Sequence, residues 1–63
     1  MEICWLVIDY YEGMPEIIGV FPTRQEAQRA KAQFIEDTDG ECTVRVGKYR
    51  KETKNGKVTY YAI

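Results

Sequence analysis

The sequence predicts a small α+β domain of order ββαββ, in which one helix packs on one face of a four-stranded antiparallel sheet. Three features predict it: an apolar, β-rich segment near the start, a capped amphipathic segment, and an Asn-Gly turn between two further β-rich segments. The 63 residues make a single domain, residues 1–63, near the lower size limit for independent folding. An apolar content of 44% is typical of a globular fold and excludes a disordered chain.

Residues 2–11 predict the first strand, because β-branched and aromatic side chains dominate them. Apolar residues occupy both alternating faces of this segment, whereas a strand that is exposed on one face alternates with polar residues. We therefore expect this strand to lie inside the sheet.

Residues 16–21 predict a second strand, which follows a turn at residues 12–15 and completes a hairpin. Strict alternation would place Ile17 and Phe21 on one face, and Ile18 and Val20 on the other. Gly19 would let a large ring or another backbone approach closely.

The helix begins after Thr23, since Thr23 and Glu26 match a capping box, and it should end near Asp37. Four apolar residues recur at helical spacing and predict the face that packs on the sheet: Ala27, Ala30, Phe34 and Ile35.

Residues 41–52 and 57–63 predict the last two strands, joined through Asn55-Gly56. This dipeptide favours a type I′ turn, which requires positive φ at both central positions. The turn sets the cross-strand pairs Lys51–Tyr60, Arg50–Tyr61 and Tyr49–Ala62. If the helix returns the chain across the sheet, the third strand lies beside the first and the strand order is 2-1-3-4.

One helix covers only one face of such a sheet, and the first two strands offer apolar side chains to both faces. A homodimer through the open face would cover them, because contiguous apolar patches mark interaction sites. Tyrosine rings and the stems of Lys and Arg would do so within one chain. The sequence does not decide between these two ways of covering the open face.

The chain has no histidine and no serine, which excludes Ser-His-Asp and Cys-His catalysis and the commonest metal ligand. We therefore expect no enzyme activity, no cofactor and no metal site. Cys4 and Cys42 are expected to be reduced structural thiols, which would form a bridge only if their strands were neighbours. The apolar run from Ile3 to Ile8 follows Glu2 and is too short to span a membrane, so a cytoplasmic protein is expected.

Charge is divided unevenly along the chain. Residues 1–41 contain nine acids and three bases, a balance of −6, whereas residues 42–63 contain six bases and one acid, a balance of +5. This asymmetry predicts charged partners.

The acidic part suggests a module that binds another protein with a basic surface, such as one that normally grips nucleic acid. Tyrosines near the acids would act as anchors, because tyrosine is enriched in interface hot spots. The expected contact residues lie in and around the first turn: Asp9, Tyr10, Tyr11, Glu12 and Glu16.

The basic part offers an alternative function, nucleic-acid binding, in which cations contact phosphates and Tyr49, Tyr60 and Tyr61 stack on bases. The cations are Lys48, Arg50, Lys51, Lys54 and Lys57. Lysines on hairpins also serve simply to prevent edge-to-edge pairing. A third alternative is a structural, homodimeric subunit.

Residues 5–30 resemble small uncharacterised ββαββ proteins of bacteria and their phages. The resemblance rests on the runs WLVIDYYE (residues 5–12), IIGVF (17–21) and TRQEA (23–27), and it implies the fold without a function. At the level of class, the chain is also similar to small phage inhibitors of host defence, such as anti-CRISPR proteins, some of which mimic DNA with acidic surfaces. That similarity implies an inhibitor.

Overall fold

The computed structural model describes residues 2–63 and has the predicted ββαββ order. The sheet is antiparallel with the order β2-β1-β3-β4, which confirms the predicted fold class and strand order. Its elements are β1 (Glu2–Asp9), a short 3-10 turn (Tyr11–Gly13), β2 (Glu16–Phe21), α1 (Arg24–Asp37), β3 (Val44–Lys54) and β4 (Lys57–Ala62).

β1 lies in the interior of the sheet and is covered on both faces, as its composition predicts. Leu6 and Val7 are neighbours whose side chains point to opposite faces, yet both are fully buried. Fully burying an aliphatic side chain of this size contributes about 1.5–3 kcal/mol. β1 is therefore the centre of the core.

The helix covers the face of β1 on which Val7 lies. The other face forms a cluster of Cys4, Leu6 and Ile8, whose partly buried neighbours are two tyrosines and no helix residue. Because α1 contacts β1, β2 and β3, it must pack on the opposite face. Ala27, which is fully buried, provides the close approach that its small side chain predicts.

Tyr49 and Tyr60 cover the face away from the helix. Tyr49 lies opposite Cys4 in the sheet, and its ring extends over Gly47, where an added Cβ would lie 2.8 Å from the ring. Gly47 is the partner of Leu6, so the ring reaches the centre of this face. One of the two expected covers, the chain's own tyrosines, is thus present, and dimerisation through this face stays a prediction.

Thr23 caps the helix as predicted, since its hydroxyl oxygen accepts a hydrogen bond from the Glu26 N–H at 3.2 Å. The predicted apolar stripe is wrong at Ile35, which is 38% exposed. Half-buried Lys31 lies on the sheet-facing line instead, because it follows Ala27 by one turn of the helix. Gly40, which has a φ of 78°, lies just after the end of the helix and donates its N–H to the Ile35 carbonyl at 2.9 Å.

β2 contains a β-bulge that the sequence analysis did not predict. Gly19 pairs with Val7 but Ile17 pairs with Ile8, so Ile18 is an extra residue. The extra residue shifts the alternation, and Ile17 therefore shares a face with Val20 rather than with Phe21. The expected close ring at Gly19 is that of Phe21, which would lie 2.6 Å from an added Cβ.

The bounds of three strands also differ from those predicted, including β4, which ends at Ala62 rather than at residue 63. β1 ends at Asp9 rather than residue 11, because the chain turns there into the 3-10 segment. β3 begins at Val44 rather than residue 41 and continues to Lys54, because residues 41–43 still belong to the connection from the helix.

The β3–β4 hairpin has the predicted turn and register. Asn55 and Gly56 have φ values of 53° and 76°, as a type I′ turn requires, and all three predicted cross-strand pairs are present. Both cysteines are free thiols. In the part of the chain that the structure describes, no helix has the length and apolarity to cross a membrane.

Candidate functional site

Two connections of the fold meet at one end of the sheet. Because β1 and β3 are antiparallel, the turn after β1 lies beside the loop that leads into β3, and Asp9 pairs with Val44. A hydrogen bond of 2.8 Å from the Tyr10 N–H to the Thr43 carbonyl joins the two connections. We call residues 9–16 and 36–45 together the acidic end.

The acidic end contains seven acids and one base, Arg45, so its formal charge is −7 + 1 = −6. Its acids are Asp9, Glu12, Glu16, Glu36, Asp37, Asp39 and Glu41. A surface of one sign attracts oppositely charged partners over a distance set by the ionic strength, about 8 Å at physiological salt. The arrangement is therefore suited to attracting a basic surface.

Asp9 organises this end rather than projecting freely from it. Its Oδ1 atom accepts hydrogen bonds from the backbone N–H groups of Tyr11 and Thr43, both at 3.0 Å. One carboxylate oxygen thus holds the turn after β1 to the loop before β3. Asp9 is a predicted contact residue to which the structure gives a positioning role.

Of the two predicted glutamates, Glu12 lies within the 3-10 turn and Glu16 lies after it, and both are exposed. Glu12 has a φ of 64°, a left-handed conformation that is uncommon for residues other than glycine. Glu16 opens β2 and pairs with Asp9. Neither carboxylate belongs to an ion pair within residues 2–63, so both charges are available to a partner.

The apolar groups of the acidic end are unusually exposed for their size. Met14 is 78% exposed and Tyr11 48%. Tyr10 borders a shallow depression of about 360 Å³ that Thr43 and Arg45 also line. Tyrosine and methionine side chains of this kind are enriched at interfaces, where they supply contact area beside charged groups.

Tyr10 links the acidic end to the tyrosine-covered face. Burial raises the pKa of the Tyr49 hydroxyl above its ordinary value, and the neighbouring Tyr10 adds to the rise. The same face holds the Cys4 thiol, whose pKa is raised by burial first and then by Glu2, against an opposite effect of Lys51. Both groups therefore stay neutral at physiological pH.

The predicted basic residues divide between the two faces of the hairpin. Four of them lie on the helix side by alternation along β3 and β4: Lys48, Arg50, Lys54 and Lys57. Lys51 lies on the other side, 3.9 Å from the Glu2 carboxylate. One face of the hairpin therefore presents four of the five predicted cations rather than all five.

Of the three tyrosines predicted to stack on bases, only Tyr61 lies on the same face as the four cations on the helix side. Tyr49 and Tyr60 pack against the core cluster instead. The Arg50 guanidinium lies 4.8 Å from the centroid of the Tyr61 ring and pairs with Glu52 at 2.8 Å. One face of the ring is thus occupied. Beside it is an open depression of about 390 Å³ lined by Lys54, Lys57 and Thr59, among others.

The acids of the acidic end are dispersed. Among residues 2–63, no group of three Cys, Asp or Glu side chains lies close enough to hold a metal ion. Sequence reasoning did not include Thr43 and Arg45 in the site. The predicted antiparallel pairing of the first and third strands was the signal that could have placed these residues next to Tyr10.

Searches against known protein families, curated proteins and solved structures found no match to this chain. The resemblance of residues 5–30 to small bacterial and phage proteins therefore stays a prediction.

Proposed function

We propose that this chain is a small non-enzymatic module that binds another protein through its acidic end, and that the partner's contact surface is basic and normally binds nucleic acid. The observation that carries the proposal is the meeting of two acidic connections beside exposed Tyr11 and Met14. Charge and anchor groups together are what a protein interface of this type requires.

The exposed carboxylates and the apolar groups have different tasks in this interface. Glu12 and Glu16 accelerate encounter with a basic surface, because long-range attraction raises association rates. Tyr11 and Met14 then lose their exposed area to the partner, which slows dissociation. Asp9 keeps the two connections together, so that the charges face the partner as one surface.

Inhibition is the consequence we infer for the partner. A basic surface that binds nucleic acid does so by neutralising phosphates. Carboxylates on the acidic end would occupy the same cations and compete with the phosphates. This inference also accords with the class-level similarity to small phage inhibitors.

The experiment is capture from host-cell lysate with the tagged protein, washed with and without nuclease. We expect a protein to be retained after nuclease treatment, and the Glu12→Lys/Glu16→Lys variant to lose it. The matched control is Glu2→Lys/Glu26→Lys, which makes the same change in net charge at two exposed sites away from the acidic end.

Equal loss of the captured protein in both double variants would refute the assignment to the acidic end, because only net charge would then matter. Capture of nucleic acid alone, removed by nuclease, would refute the proposal as a whole. If a protein is retained, the purified partner is tested for release of its nucleic acid when the wild-type protein is added.

Nucleic-acid binding through the hairpin is a second candidate, supported by the common face of Lys48, Arg50, Lys54 and Lys57. It predicts an affinity that falls with rising salt, by roughly 0.7–0.9 units of log–log slope for each phosphate contact. Lys54→Glu/Lys57→Glu would abolish this binding, whereas Glu12→Lys/Glu16→Lys would leave it intact or strengthen it.

A further inference from the structure

The two edge strands of the sheet differ in how they are protected from pairing with another strand. β2 contains the bulge at Ile18, follows Pro15, begins with Glu16 and includes Gly19. Bulges, prolines and charges at an edge are the usual features that prevent edge-to-edge pairing. β2 is therefore a poor template for a further strand.

β4 (Lys57–Ala62) has fewer of these features, because its one charged residue is Lys57 at the start of the strand. It is a regular strand without proline or glycine, and its register with β3 is unbroken from Lys57 to Ala62. It bears exposed apolar side chains on both faces of the sheet, namely Val58 on one and Tyr61 on the other. Within residues 2–63, no strand lies beyond β4.

The two-residue turn determines which backbone groups of β4 point outward. In such a hairpin the residues that flank the loop, here Lys54 and Lys57, exchange both hydrogen bonds with each other. Alternate residues along β4 therefore bond to β3. The N–H and C=O groups of Val58, Tyr60 and Ala62 consequently point away from the sheet.

We propose that the β4 edge pairs with the β4 edge of a second copy of this chain, antiparallel and centred on Tyr60. In this register Tyr60 lies opposite Tyr60 of the second copy, and Val58 lies opposite Ala62. Every outward backbone group then has a partner, with about six interchain hydrogen bonds in all. The two sheets become one continuous sheet of eight strands.

The side chains of β4 suit this register. Val58, Tyr60 and Ala62 share one face and bring apolar groups opposite apolar groups. On the other face, Thr59 lies opposite Tyr61 and Lys57 opposite Ile63, so no like charges meet. A second copy is thus a better occupant than an arbitrary extended segment, because its own side chains complement the edge.

This assembly leaves the binding function untouched. The acidic end belongs to the β1–β2 and α1–β3 connections, and β4 pairs only with β3, on the opposite side of β1 from β2. The two acidic ends of the dimer would point in opposite directions, each available to a partner. The dimer and the acidic interface can therefore fail independently in experiments.

The test is sedimentation equilibrium of the full chain from about 10 μM to about 1 mM, together with amide hydrogen exchange at both extremes. We expect a monomer–dimer equilibrium and at least about tenfold slower exchange of the Val58, Tyr60 and Ala62 amides at the higher concentration. Because no charge pair holds the contact, the dissociation constant should change little with salt.

Val58→Pro removes one outward N–H and should raise the dissociation constant at least about tenfold, whereas Val58→Thr keeps that N–H and should have a much smaller effect. If Val58→Pro does not fold, the hydrogen-exchange pattern of the wild-type chain still shows whether the β4 edge forms the contact. A monomer at every concentration would overturn the proposal, as would a dimer that protects β2 instead. A dimer abolished by salt would also overturn it and indicate contact between the acidic end and the basic hairpin.

Discussion

Tyr49→Ala tests whether the tyrosine rings truly complete the core on the face away from the helix. Truncating a core aromatic residue costs about 3–5 kcal/mol, and partial burial of Tyr49 reduces this to about 2–3 kcal/mol. A domain of 63 residues has a stability of roughly 3–9 kcal/mol. The variant should therefore lose a large part of its stability and melt roughly 8–24 °C lower.

The assay is urea unfolding followed by the fluorescence of Trp5, the single tryptophan. The matched control is Tyr11→Ala, which truncates an exposed tyrosine and should change the free energy of unfolding by no more than about 0.5 kcal/mol. If both variants unfold at the same urea concentration, the ring of Tyr49 does not stabilise the cluster around Leu6, and the account of this face is wrong.

Three further predictions concern single side chains. Asp9→Ala should lower stability by about 1–2 kcal/mol because it removes the acceptor of two backbone hydrogen bonds, while Asp9→Asn, which keeps a side-chain oxygen, should cost less in thermal denaturation. Thiol labelling of the folded chain, followed by mass spectrometry, should modify Cys42 well before buried Cys4; equal rates would contradict the burial. Because the pKa of Tyr49 is raised above its ordinary 10.0 in the folded state, its stabilising contribution is complete below about pH 10 and is lost as the pH rises through the folded-state pKa. Urea unfolding at about pH 8 and about pH 11 should show a smaller alkaline loss for Tyr49→Phe than for the wild-type chain.

Local sequence signals predict the elements of this fold well, because each is determined by neighbouring residues. Asn55-Gly56 leaves only one common turn type, and that turn sets the register of eleven-residue β3 against β4. The apolar residues on both faces of β1 likewise require an interior position. The strand order follows once β1 is inside and the helix crosses the sheet.

Features that depend on tertiary packing are less accessible from the sequence. The bulge at Ile18 shifts Ile17 to the other face, and the adjacent Gly19 is compatible with a bulge without specifying the extra residue. The exposure of Ile35 and the partial burial of Lys31 depend on the angle of the helix on the sheet. Propensity and periodicity contain little information about either feature.

The candidate site was predictable in its charge but not in its geometry. The sequence indicates that the first turn is acidic, and Tyr11, Glu12 and Glu16 are exposed there. The role of Asp9 depends on Thr43, which is 34 residues away in the chain. Such a contact follows from the fold, so it could not be deduced from the turn alone.

In the proposed interface, the charges of the acidic end drive binding to a basic partner protein. The most direct measurement is the association rate with the purified captured partner at about 20 mM and about 300 mM salt, for the wild-type chain and both double variants. We predict that Glu12→Lys/Glu16→Lys associates at least about tenfold more slowly at low salt, that Glu2→Lys/Glu26→Lys changes the rate much less, and that high salt reduces the difference. Equal rates for all three proteins at low salt would contradict the claim.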